Sequence, residues 1–152
     1  MTLSPGNPVP EIRAPNQHGD PVEPDFEEPT VLYFYPEDGT PGCETEAAQF
    51  QAERDIYEEA GITVYGVSTD DVSSHRAFAE EGGIEFDLLA DPDGEVADAF
   101  GIDIPGGRAD RTTFVLANDE VVAVYEDVDP DGHAREVMFD LLDAGLVELE
   151  GF

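Results

Sequence analysis

The chain has one cysteine, no tryptophan and no lysine in its 152 residues. A lone cysteine, Cys43, excludes an intramolecular disulfide framework and a cysteine-based zinc site of the usual four-ligand kind. Without lysine, six arginines face 37 acidic residues, so the formal charge is −31 and the pI is near 4.1. Such a polyanion repels nucleic acid and anionic membranes, and neither is expected as a partner. Long apolar runs are missing as well. No segment approaches the roughly 20 apolar residues that cross a bilayer. No basic and apolar leader opens the sequence, which points to the cytoplasm.

High net charge can signal disorder, but apolar segments alternate and cluster along the whole sequence. The acidic, lysine-free composition resembles that of proteins from organisms adapted to high salt. There the Debye length falls to about 3 Å at 1 M and self-repulsion is screened. The length suits one domain, residues 1–152, with its own core.

Prolines 5, 8, 10, 15, 21, 24 and 29 exclude long regular elements from the first 29 residues. Two short extended pieces, Glu11 to Ala14 and Pro21 to Glu23, flank Gly19 and predict an N-terminal β-hairpin. Thr30 to Tyr35 is a β-branched and aromatic run suited to a strand covered on both faces. A helix is expected from Glu44 to Gly61, with Ala47, Phe50 and Tyr57 on one stripe and Arg54 paired with Glu58. Ile62 to Val67 reads as a second buried strand, and Ser68 to Asp71 caps a helix carrying Phe78. Asp87 to Ala90 is extended, and Asp91-Pro-Asp-Gly94 opens a short helix to Phe100. Arg111 to Leu116 and Val121 to Tyr125 form a hairpin about Asn118-Asp119. The last helix is predicted over Glu136 to Leu149, with Gly145 as its weak point. A βαβ half followed by a hairpin and a helix is a thioredoxin-like α/β arrangement, a mixed sheet flanked by helices.

Three groups of residues invite chemistry. Asp127-x-Asp129-x-Asp131-Gly132 copies half of an EF-hand loop, but Met138 stands where the bidentate glutamate belongs and Pro130 intrudes, so no calcium site is expected. His18, His75 and His133 have no metal-ligand spacing and are read as structural or solvated. Cys43 is the third. It falls in the first turn of a helix, after a strand and the loop Pro36-Glu-Asp-Gly-Thr40-Pro-Gly, and should face solvent or substrate there. Unpaired backbone N–H groups and the helix dipole favour an anion at that position, hence a thiolate. Thr40 offers a hydroxyl at the same mouth. The net charge of −31 opposes thiol ionisation, and salt should relieve that opposition.

Pro36-x-x-x-Thr40-x-x-Cys43 resembles the active-site motif of the peroxiredoxins, and Thr-Pro-Gly-Cys is similar to its Q subgroup, also called bacterioferritin comigratory protein. Gly66 to Phe78, Leu88 to Gly94 and Phe100-Gly101 resemble later segments of that family. The resemblance implies that Cys43 is the peroxidatic nucleophile, that Pro36 shields its thiolate, and that Thr40 hydrogen-bonds thiolate and peroxide. It implies that Arg111, opening a strand, is the active-site arginine, with Glu46 holding it. Arg108, in a glycine-rich loop, is the rival. The implied enzyme is a thiol-dependent peroxidase for hydrogen peroxide and organic hydroperoxides, with no metal, haem or flavin, present as monomer or homodimer.

Many members of the subgroup carry a resolving cysteine five residues after the first, where this chain has Ala48. Recycling would then need an external thiol or a redoxin. A redox sensor that hands oxidation of Cys43 to a partner as a mixed disulfide is the alternative reading. The missing second cysteine disfavours a dithiol oxidoreductase.

Overall fold

The computed structural model of the chain describes residues 2–143 and residue 145. Its centre is β3 (Thr30–Phe34), the apolar run that has no exposed position. β3 pairs in parallel with β4 (Thr63–Ser68), which pairs in parallel with β5 (Asp87–Ala90). On its other side β3 is antiparallel to β6 (Thr112–Ala117), and β6 to β7 (Glu120–Tyr125). The order is β5-β4-β3-β6-β7, a mixed thioredoxin-like sheet. The N-terminal hairpin is shorter than predicted, with β1 (Ala14–Pro15) against β2 (Pro21–Val22).

Alternation along β3 divides the core into two layers. Val31, Tyr33 and Tyr35 face Phe50, Tyr57, Phe78 and Val137, while Leu32 and Phe34 face Phe26, Val96, Phe100 and Phe114. The first layer is covered by α1 (Pro41–Ala52), α3 (Val72–Gly82) and α5 (His133–Asp143), and α4 (Glu95–Ala99) covers the second. Tyr33 stacks on Phe50 with centroids 4.7 Å apart. It also lies over Gly66, its partner across the parallel ladder, where an added Cβ would sit 3.0 Å from the tyrosine ring.

Two helices differ from the prediction. The helix expected from 44 to 61 is divided into α1 and α2 (Arg54–Glu59), because Glu53 leaves helical geometry at ψ 4°. The bend turns Tyr57 inward, where its hydroxyl donates to the carbonyl of Ala134, and Glu53 itself pairs with Arg135. The C-terminal helix begins at His133, three residues early, and Gly145 has a left-handed φ of 73°. Leu146, Val147 and Leu149, the predicted end of that helix, lie outside the described residues. Asn118 and Asp119 both take positive φ, as a two-residue hairpin requires.

All six arginines are engaged. Arg13, Arg108, Arg111 and Arg135 pair with Glu23, Glu37, Glu46 and Glu53, and Arg54 reaches both Glu58 and Glu85. Arg76 donates to the carbonyl of Gln17. Among the described residues no helix is long and apolar enough to cross a membrane.

Candidate active site

Parallel strands β3 and β4 end at the same edge of the sheet, so the loops that follow them meet above it. The first loop, residues 35–40, delivers Thr40 as the N-cap of α1 and Cys43 into its first turn. Pro41 at the start of α1 suits a position whose N–H has no helical partner. Cys43, Glu46, Ala47 and Phe50 then form the buried stripe of the helix.

Cys43 is therefore not presented to solvent, as its place in the loop suggested. It is 1% exposed, because the stripe on which it lies packs against Tyr33 and Tyr35. The residue over it is Arg111, just before β6. Its Nη2 donates to Cys43 Sγ at 3.4 Å, and its Nη1 donates to Glu46 Oε1 at 2.7 Å. Arg108 is exposed and salt-bridged to Glu37, away from the thiol. Thr40 stands at the mouth but its hydroxyl donates to the carbonyl of Glu37 at 3.0 Å, leaving oxygen lone pairs for another donor. Pro36 is half-buried directly after the Tyr35 position.

The electrostatics follow from burial. Glu46 is fully buried and its Oε2 has no partner. Desolvation pushes its carboxyl up to about 7, and Arg111 opposes the rise only in part. Burial works against the charge on Arg111, but Glu46 and Cys43 outweigh it and the net direction is up. Arg111 thus stays a cation with one amino group committed to the glutamate and one to sulfur.

The segment with the partial EF-hand pattern has another use. Gln49 Nε2 donates to Asp131 Oδ1 at 2.7 Å, and the Gly132 N–H donates to Gln49 Oε1 at 2.6 Å. These bonds tie residues 131 and 132 to α1, and Pro130 comes to rest beside Gly42.

A second cluster lies under the same loop and was not legible in sequence. His75, read there as structural or solvated, is fully buried in α3 with its ring nitrogens near Asp38 Oδ2 (2.7 Å) and the Leu89 carbonyl (3.0 Å). Asp38 also accepts from Tyr35 and Ser74, and its N–H donates to Asp70. Thirty-seven residues separate His75 from Asp38, so no local spacing announces the pair. His133 is likewise buried, against Thr113 Oγ1 at 2.9 Å.

A profile of the AhpC/TSA family matches residues 5–125. The chain belongs to that family. It is 34% identical to a putative peroxiredoxin Bcp of Coxiella burnetii over 151 residues, covering 91% of this chain and 98% of the relative. Among solved structures, a mutant of Xylella fastidiosa PrxQ superposes with a TM-score of 0.88 at 28% identity, covering 95% of this chain and 99% of that one. The bacterioferritin comigratory protein of Xanthomonas campestris, described for its alkyl peroxide reduction activity, superposes at 0.80 with 31% identity over 88% and 91%. The chain is a peroxiredoxin of the Q/Bcp subgroup and a thiol-dependent peroxidase.

Proposed function

We propose that Cys43 is the peroxidatic nucleophile, with Arg111 as the cation that stabilises both ends of its reaction. The carrying observation is the 3.4 Å contact between Arg111 Nη2 and Cys43 Sγ in the first turn of α1. The Cys43 thiolate attacks one oxygen of a hydroperoxide, the O–O bond breaks, and sulfur leaves the step as a sulfenic acid. The departing oxygen takes the electron pair and then a proton, giving water or an alcohol. Negative charge moves from sulfur to that oxygen, and a guanidinium beside both stabilises the transition state. Thr40 takes the role of a partner for the peroxide, Pro36 shields the thiolate, and Glu46 positions Arg111.

Hydrogen peroxide and organic hydroperoxides are the substrates of this reading, in keeping with the alkyl peroxide activity of the Xanthomonas relative. Cys43 is the only cysteine, so the sulfenic acid is resolved by an external thiol. That thiol attacks sulfur, releases water and forms a mixed disulfide, which a second thiol exchanges to restore Cys43. We place the enzyme, as one domain and as monomer or homodimer, in the cytoplasm of an organism adapted to salt, on the strength of its −31 charge. The test is steady-state peroxide consumption with a small thiol reductant. Cys43→Ser is expected to consume none, and retained turnover in that variant overturns the assignment. Rapid sulfenic acid formation without turnover on any reductant would mark a sensor instead.

A further inference from the structure

We infer that His75 is a positioning residue for the peroxide reaction, holding the loop of Pro36 and Thr40 through its hydrogen bond to Asp38. This rests on the reading of Cys43 as the nucleophile.

The geometry dictates where protons must lie. The Leu89 carbonyl can only accept, so Nε2 of His75 carries a hydrogen and donates to it at 3.0 Å. Nδ1 stands 2.7 Å from Asp38 Oδ2, a separation that two lone pairs do not tolerate without a hydrogen between them. Tyr35 cannot supply that hydrogen, because its hydroxyl donates to Asp38 Oδ1 at 2.7 Å. Ser74 Oγ also donates to Oδ2, at 2.8 Å. The ring is thus held at both nitrogens, by Asp38 on one side and by the Leu89 carbonyl on the other.

The bond is shielded from solvent. His75 is fully buried and the Asp38 side chain is 5% exposed. The groups facing the ring are Asp38 from the loop, Tyr35 from the end of β3, the Leu89 carbonyl from β5 and, through Asp38, Asp70 from the loop after β4. Two of these are carboxylates and none is a cation. Asp38, Asp70 and His75 bring ligand-type atoms within 4.8 Å of one another. Each already has a protein partner: His75 Nδ1 meets Asp38 Oδ2, and Asp70 Oδ2 accepts from the Asp38 N–H and Ser68 Oγ, so the trio reads as a clamp and not as a metal centre.

What the clamp fixes is the entrance to α1. Asp38 lies two residues from Pro36 and two from Thr40, and Thr40 is the N-cap that sets the direction of Cys43. Loss of the His75–Asp38 bond would leave a buried carboxylate oxygen short of a partner. The loop would lift, and Thr40 would move relative to sulfur. Misplacement of a reacting group by about 1 Å can cost on the order of a hundredfold in rate.

The test combines ring NMR with rapid kinetics of Cys43 oxidation by hydrogen peroxide. In the wild type, nitrogen-15 spectra are expected to show the His75 ring hydrogen-bonded at both nitrogens. Asp38→Asn is isosteric and keeps a polar partner for the ring, so it is expected to keep the loop and most of the oxidation rate, whereas Asp38→Ala loses both. His75→Ala is expected to slow oxidation by on the order of tenfold or more, and His75→Gln, which can donate to one of the two acceptors, to recover part of it. Should His75→Ala not fold, the comparison of Asp38→Asn with Asp38→Ala decides. Wild-type oxidation in Asp38→Ala, or in a folded His75→Ala, overturns the inference while Cys43 keeps its role. Full peroxidase activity in Cys43→Ser would instead remove the reading on which the inference stands.

Discussion

Gly42 and Arg111 touch where almost any side chain would intrude: a Cβ on Gly42 would lie 3.1 Å from Arg111 Nη2 and 3.4 Å from Pro130. The backbone there has no left-handed φ, so glycine is needed for space and not for conformation. Gly42→Ala is expected to displace the guanidinium from sulfur by a few tenths of an ångström and slow Cys43 oxidation. Alanine is the better helix former by up to about 1 kcal/mol, so the melting temperature should hold or rise. Stopped-flow oxidation beside thermal unfolding would separate the two effects; a drop in stability with an unchanged rate would refute the steric account.

Arg111→Ala removes the donor to Cys43 and leaves Glu46 buried with no partner for either oxygen. The rate constant for oxidation is expected to fall by about a hundred- to a thousandfold. Arg111→Lys should rescue little, since one ammonium cannot span the two contacts that a planar fork makes. Single-turnover oxidation measures the loss and the failed rescue. Arg108→Ala, which loses only a surface pair with Glu37, serves as the comparison.

Glu46 gives a pH signature with an unusual sign. Its carboxyl is raised from 4.5 to about 7 by burial. Between those values the folded protein holds a proton that the unfolded chain has released, so this group's contribution to stability falls as pH rises through the window and then levels off. The shift corresponds to about 3 kcal/mol at most. Glu46→Gln has no such titration, so its stability relative to the wild type should climb from pH 4.5 to 7.5. Urea unfolding of both proteins across that range checks it, and parallel curves would show that Glu46 ionises like an exposed carboxylate.

Salt should stabilise the fold. With a formal charge of −31, self-repulsion acts across a Debye length of about 10 Å at 0.1 M but only about 3 Å at 1 M. The melting temperature is expected to rise by at least about 5 °C between these concentrations. Calorimetry in sodium chloride tests this, and a flat response would argue against adaptation to salt.

The sequence made some features legible and hid others for physical reasons. β3 was readable because a five-residue β-branched and aromatic run has only one good use, and the β6–β7 hairpin because Asn118 and Asp119 tolerate positive φ. The Cys43 and Arg111 partnership came from a resemblance, since 68 residues separate them and no periodicity connects them. The burial of Cys43 was missed because a glycine- and proline-rich approach suggests an exposed turn, whereas exposure is decided by what packs above the helix. The bend at Glu53 was missed because the apolar stripe runs through it without a break, and the partners met around it, Arg135 for Glu53 and Ala134 for Tyr57, lie far along the chain. His75 had no signal at all: a histidine in a helix gives no hint that a carboxylate 37 residues earlier will meet it.

Five of the six arginines are already paired with carboxylates of the chain, which leaves the molecule little positive charge to offer. With no lysine in the sequence, an encounter complex finds few cations on this side. A redoxin that docks here must bring most of the positive charge of new ion pairs, and two copies of this chain meeting face to face would rely chiefly on apolar contacts and neutral hydrogen bonds. In concentrated salt that restriction weakens least for partners that rely on such uncharged contacts, which is the kind of recognition a crowded, saline interior would leave intact.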